Sequence, residues 1–150
     1  MKQYFLLSTL ILATGCAGTY QAPKSQEKTI TASHNKSINE VLNSAKKVLI
    51  LEGYQIQTHD DQAGIISTSL KNLKLKPEQA DCGTTMGIDY LKDKRTKTEV
   101  ALSIIVNNDS IIVKSNIHGE YKPGSVANDI TLTCISKGDI ESKILDKVLG

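Results

Sequence analysis

The chain has 150 residues, with 18 Lys and Arg against 16 Asp and Glu, a formal charge of +2. That near balance gives no strong bias toward nucleic acid or acidic substrates, and the length admits one domain and hardly two. Trp is absent and the single Phe is Phe5, so the core must be built from Ile, Leu and Val.

The N-terminus reads as a targeting segment. Lys2 supplies a positive start, Phe5 to Ala13 is apolar apart from Ser8 and Thr9, and Gly15 precedes Cys16. The apolar run is shorter than the roughly 20 residues a helix needs to span a bilayer. Leu12-Ala13-Thr14-Gly15-Cys16 resembles a bacterial lipobox, with Ala13 where Leu is usual. The resemblance implies removal of residues 1–15 as a lipoprotein signal peptide and lipidation of Cys16 by diacylglycerol and an acyl chain such as palmitate. Two or more chains hold a protein stably on a membrane. Ala17, rather than Asp, follows the cysteine and favours the outer membrane. An ordinary signal peptide leaving Cys16 as a free thiol is the alternative.

Two cysteines then remain in an oxidising compartment, and an even pair there favours a disulfide between Cys82 and Cys134. Two buried thiols are the alternative. Residues 16–27 read as a lipidated cysteine followed by a polar, flexible tether with Gly18, Pro23 and Ser25, or as an extended segment that docks on a partner. Residues 28–150 form the single domain. Lys28 to Ala32 reads as a short first strand.

The clearest element is a helix over Ile38 to Glu52. Ser37 and Glu40 stand at capping-box spacing, and Ile38, Val41, Leu42, Ala45, Val48 and Leu49 form one apolar stripe. Gly53 ends the helix as a left-handed cap. Tyr54 to Thr58 alternates as a strand and Ile65 to Leu73 follows as a second, joined by the turn-rich His59 to Gly64. Lys71 to Lys97 is the least regular stretch. A loop of that length is usually functional or mobile, and lysines on a sheet edge also deter aggregation. Thr98 to Asn107 and Ser110 to Gly119 form a hairpin about Asn107-Asn108-Asp109. Ile130, Leu132 and Cys134 alternate as a last strand. Ser136 and Asp139 then open a final helix with Ile140, Ile144, Leu145 and Val148 on one face.

No chemistry announces itself. His34, His59 and His118 are dispersed without ligand spacing, and there is no phosphate loop, nucleophile elbow or zinc-protease helix. The chain reads as a non-enzyme with no cofactor and no metal.

Ala45 through Thr68 resembles the repeated unit of BamC-type lipoproteins of the outer-membrane protein assembly machinery. A helix ends at Gly53-Tyr54, a strand follows, and Asp60 stands three residues before Ala63-Gly64 and the next strand. The resemblance implies a helix-grip-like α+β fold, with an antiparallel sheet of about four to six strands and two helices packed on one face. With the lipobox, it implies a lipid-anchored protein on the periplasmic face of the outer membrane, serving as a binding or scaffold module of a cell-envelope complex. The expected partners are the membrane, through the anchor, and an envelope protein, with no nucleic acid. The alternative is a small-ligand-binding or inhibitor lipoprotein with an apolar pocket between helix and sheet.

Overall fold

A computed structural model describes residues 20–150. The lipobox, Cys16 and the signal segment lie outside the described residues. In chain order the elements are β1 (Tyr20–Gln21), β2 (Ile30–Ser33), α1 (Ile38–Leu51), β3 (Ile56–Asp60), β4 (Ile65–Thr68), β5 (Lys71–Asn72), β6 (Ala80–Asp81), β7 (Thr84–Thr85) and β8 (Ile88–Asp89). They continue with β9 (Thr96–Val106), β10 (Ser110–Tyr121), β11 (Ile130–Thr133), β12 (Ile135–Ser136) and α2 (Asp139–Leu149). This is an α+β domain of two helices and antiparallel strands.

The long hairpin β9–β10 is the spine. Val100, Leu102, Ile104 and Val106 alternate with half-exposed or polar neighbours, as do Ile111, Val113 and Ile117 on the returning strand, and all seven are buried. That period of two assigns one face to the core. Asn107 donates its amide to the Ser110 carbonyl at 2.8 Å and closes the turn. β4 and β5 pair with the free side of β9; β2 and β11 pair with the free side of β10; β3 pairs with β4 at the edge. The sheet therefore has seven strands, and two small sheets, β1–β7–β8 and β6–β12, stand apart from it.

The helices close the core. Val41, Leu42, Ala45 and Leu49 of α1 and Ile140, Ile144, Leu145 and Val148 of α2 are buried with the spine residues. α1 packs on α2 and β9, and α2 on β10.

Three stretches differ from their sequence-based expectation. The strand expected over Ile65 to Leu73 breaks at Ser69-Leu70 into β4 and β5. At the break the Thr68 hydroxyl accepts the Leu102 amide at 2.9 Å, so a side chain takes a place the ladder would fill. Lys71 to Lys97 is tied down by four two-residue strands and a single 3₁₀ turn, too short to show periodicity. The segment expected as a tether is held from Tyr20 to Ser25. β1 pairs with β7, the Tyr20 hydroxyl accepts the Thr133 amide at 3.0 Å, and the Asp81 carboxylate accepts from Lys24 and Ser25.

Candidate functional site

Of the residues singled out by sequence, Ser37, Glu40, Gly53, Asp60, Gly64, Cys82 and Cys134 hold the fold together, while Cys16 lies outside the described residues. The Ser37 hydroxyl accepts the Glu40 amide at 3.3 Å and Glu40 accepts the Ser37 amide at 2.9 Å, a complete capping box. The Ser37 hydroxyl also donates to the Glu40 carboxylate at 2.7 Å, and that bond, then the one from the Ser37 amide, holds the Glu40 carboxyl below the usual range. Gly53 follows the helix with φ +75°. Asp60 accepts the amides of Gln62 and Ala63 at 2.9 and 3.0 Å, which explains why an Asp stands three before Ala-Gly. Gly64 then turns into β4, and Lys46 of α1 reaches Asp61 at 2.5 Å, tying the turn to the helix. Cys82 and Cys134 form a disulfide with Cα atoms 4.0 Å apart. The bridge joins the start of β7 to the β11–β12 junction, away from the Asp60–Gly64 turn.

Among the described residues no His, Cys, Asp and Glu cluster could hold a metal ion. What the structure offers instead is a surface. The side chains of β9 and β10 that alternate away from the helices form an ordered series. Lys97 faces Glu120, Glu99 faces His118, Ala101 faces Asn116, Ser103 faces Lys114 and Ile105 faces Ile112. Neighbouring strands widen it, with Ile65 and Ser67 of β4 beside Ile105 and Ser103, and Thr31 of β2 beside Ile112. Ile65 is 39% exposed, and Ile105 and Ile112 are half-buried. The face thus runs from an apolar stripe across β4, β9 and β10, through small polar side chains, to a charged end.

At the charged end Lys122 reaches Glu120 at 2.6 Å and His118 stands 3.6 Å from the same carboxylate. The hydrogen bond from Lys122, then its charge, lowers the Glu120 pKa, and Glu120 raises that of Lys122 in the same way. A hollow of about 190 Å³ opens there between Asn72, Lys97, Glu99, His118, Glu120 and Lys122. Beyond β4 the edge strand β3 is exposed from Gln57 to Asp60, and among the described residues no further strand pairs with its outer side.

The opposite side is closed. The α1 core residues Val41, Leu42, Ala45 and Leu49 are at most 1% exposed. A hollow of about 170 Å³ between Glu52, Tyr54, Lys71, Leu73, Gln79, Ile140, Lys143 and Ile144 marks the α1–α2 mouth. Lys71 lies 4.6 Å from the Tyr54 ring centroid.

One buried polar group escaped the sequence reading. Glu141 of α2 is fully buried, and its two carboxylate oxygens accept from the hydroxyls of Ser115 on β10 and Ser136 on β12. The Ser136 hydroxyl also accepts the Gly138 amide at 3.1 Å. Ser136 is therefore not the cap of α2; Gly138, with φ +92°, occupies that place, because the serine is committed to Glu141. The signal was present: Glu141 lies three, four and seven residues before Ile144, Leu145 and Val148, a charge on an apolar stripe.

No protein-family profile matches the sequence, and no curated protein is significantly similar to it. Among solved structures the chain is similar to a DUF4468 family protein from Bacteroides ovatus ATCC 8483, with 10% identity and a TM-score of 0.44 over 73% of this chain. The chain spans 64% of that protein's length.

Proposed function

We propose that this protein is a lipoprotein anchored through Cys16 on the periplasmic face of the outer membrane, where it acts as a non-enzymatic binding or scaffold module of a cell-envelope complex. We read its seven-stranded sheet and two helices as a helix-grip-like domain, in keeping with the BamC-type resemblance of Ala45 through Thr68.

The observation that carries the reading is the contrast between the two sides of the sheet. One is sealed by α1 and α2. The other presents Ile65, Ile105 and Ile112 to solvent beside the uncovered edge β3. An open face with an apolar stripe, small polar neighbours and a charged end combines the apolar area and the polar surround that interfaces use. The uncovered edge adds main-chain hydrogen bonding for an incoming strand. The alternative, a small-ligand lipoprotein, would use the hollow at the α1–α2 mouth. Its volume of about 170 Å³ falls below the roughly 300 Å³ at which ligand pockets begin.

Affinity recovery from detergent-solubilised membranes tests the proposal. The full chain should bring down a defined envelope protein, and Ile105→Lys should lose it while keeping the fold and the membrane attachment. Equal recovery by both would remove the open face from the interface; recovery of no protein would sink the scaffold reading.

A further inference from the structure

The small sheet β1–β7–β8 lies where the described chain joins the domain. β7 runs into a two-residue turn, Met86-Gly87, and returns as β8 with Ile88 opposite Thr85. Both turn residues have left-handed backbone, φ +49° at Met86 and +79° at Gly87. That turn suits the twist of a hairpin, and glycine takes it without cost. Methionine takes it against its own Cβ, an uncommon conformation for a residue with a side chain. The result is a tip on which Met86 is 86% and Ile88 62% exposed. No charged residue occurs from Cys82 to Ile88.

The hairpin is firmly based. The Cys82–Cys134 disulfide fixes its root. The Asp81 carboxylate accepts the Gly83 amide at 2.9 Å, and the Tyr90 amide donates to the Gly83 carbonyl at 3.2 Å. The Tyr20 ring of β1 meets the Tyr90 ring edge-on at 5.7 Å, and Tyr90 meets Tyr121 at 5.1 Å. Two large apolar side chains are thus carried outward on a braced projection, and the one charge within its strands, Asp89, is turned back to accept the Leu91 amide at 2.8 Å.

The register of β1 gives that projection a direction. Tyr20 pairs with Thr85 and Gln21 with Thr84, antiparallel. Followed back from Gln21 to Tyr20, the chain runs the way β7 runs, toward the tip. Cys16 stands four residues before Tyr20, a reach of at most roughly 14 Å. A lipid on Cys16 therefore holds the bilayer surface within that distance of the residue that pairs beside the hairpin tip.

We infer that the Met86–Ile88 tip is a second membrane contact, setting its two apolar side chains into the interfacial zone of the leaflet that holds the Cys16 lipid. The inference rests on the lipid-anchor reading. The occupant is a lipid surface because the anchor brings one to this place, because the tip has no charge to desolvate, and because unbranched Met adapts to an irregular apolar surround. The contact also orients the domain. Tyr121 packs on Tyr90 at the hairpin's root, so the hairpin springs from the end of the spine opposite the Asn107–Asp109 turn, which lies eleven residues along β9 or roughly 36 Å away.

The absence of Trp supplies the test, since any introduced Trp is a lone reporter. Full-length lipidated Ile88→Trp, Met86→Trp and Asn108→Trp are each reconstituted into phosphatidylethanolamine–phosphatidylglycerol vesicles containing lipids brominated on their acyl chains. Co-sedimentation reports the anchor, and Trp emission reports the tip. The expected result is vesicle-bound protein in which Trp at 88 or 86 shifts to the blue and loses most of its emission, while Trp at 108 keeps its own. Bound protein with unquenched Trp at both 86 and 88 overturns the second contact and leaves the anchor standing; such a tip would face water or a protein partner. Protein that fails to co-sediment overturns the anchor and the contact together.

Discussion

Gly64 presses against Val106: a Cβ placed on Gly64 would stand 2.2 Å from the Val106 carbonyl oxygen. The same two residues are joined by the Val106 amide, which donates to the Gly64 carbonyl at 2.8 Å. The turn after β3 thus docks on the end of β9 through backbone alone, and φ +70° at Gly64 makes the approach available only to glycine. Gly64→Ala should lower stability by about 2 kcal/mol or more, combining left-handed strain with displaced backbone. Urea unfolding monitored by circular dichroism measures it. A midpoint within error of the parent would mean that the turn can move aside at little cost.

The disulfide joins cysteines 52 positions apart, for which loop entropy gives about 4 kcal/mol, by a model that leaves native strain aside. Reduction should remove that much from the unfolding free energy. Gly119 adds a finer check. A Cβ there would stand 2.6 Å from the Cys134 sulfur and 3.1 Å from the Leu132 Cβ. Gly119→Ala should therefore destabilise the oxidised protein by about 1 kcal/mol more than the reduced one, since a free thiol can rotate away and a bridged sulfur cannot. Equal losses in both redox states would show that the bridge relaxes around the methyl group.

The parts of this fold that could be read from the chain are those whose hydrogen bonds or packing repeat over short intervals. Ser37 and Glu40 are three residues apart and bond to each other; Asp60 reaches only to Ala63; the spine strands show their buried face in strict alternation. The disulfide was readable by counting, because two cysteines remain once Cys16 is set aside. What was hidden depends on pairs far apart in sequence. Tyr20 gives no sign of stacking on Tyr90, and Ser136 at capping spacing before Asp139 gives no sign that Glu141 claims its hydroxyl. The open face needed the register of β4, β9 and β10 before Ile65, Ile105 and Ile112 could be seen as one stripe. Strands of two residues, as in β5 to β8, are too short to alternate.

Glu141 is a second place where stability concentrates. Its carboxylate is fully buried with the Ser115 and Ser136 hydroxyls as donors, and it lies in the first turn of α2. Glu141→Ala should cost about 3 kcal/mol, from the cavity and two hydroxyls left without their acceptor. Glu141→Gln keeps the volume and should cost less. A double-mutant cycle with Ser115→Ala isolates the bond, and a coupling energy near zero would reduce Glu141 to packing alone.

The anchor is tested by one atom. Cys16→Ser leaves the domain unchanged and removes the sulfur that the diacylglycerol would bond. Metabolic labelling with palmitate should mark the parent and not the variant, and the variant should move from the membrane fraction to the soluble envelope fraction. Persistent attachment of an unlabelled variant would move the anchor elsewhere.

Asp81 fastens the segment from Tyr20 to Ser25 to the domain. Burial raises its pKa, but the hydrogen bonds from the Gly83 amide, the Ser25 hydroxyl and the Ser25 and Lys24 amides outweigh that, so the carboxyl titrates below the ordinary Asp value of 3.8. A lowered folded-state pKa means that the carboxylate stabilises the docked segment in full above the unfolded value. The contribution is lost as pH falls through the lower folded value. Neutral and mildly acid solutions should therefore leave the segment equally docked, and release should come only below about pH 4. Asp81→Asn keeps an oxygen for Gly83 but, with an amide nitrogen in place of the second oxygen, can accept from neither Ser25 nor Lys24. It should expose that segment already at neutral pH. Amide hydrogen exchange at Lys24 and Ser25, corrected for intrinsic rates, reads both effects. Protection that is the same in parent and Asp81→Asn at neutral pH would leave the pairing of β1 with β7 as what holds the segment down.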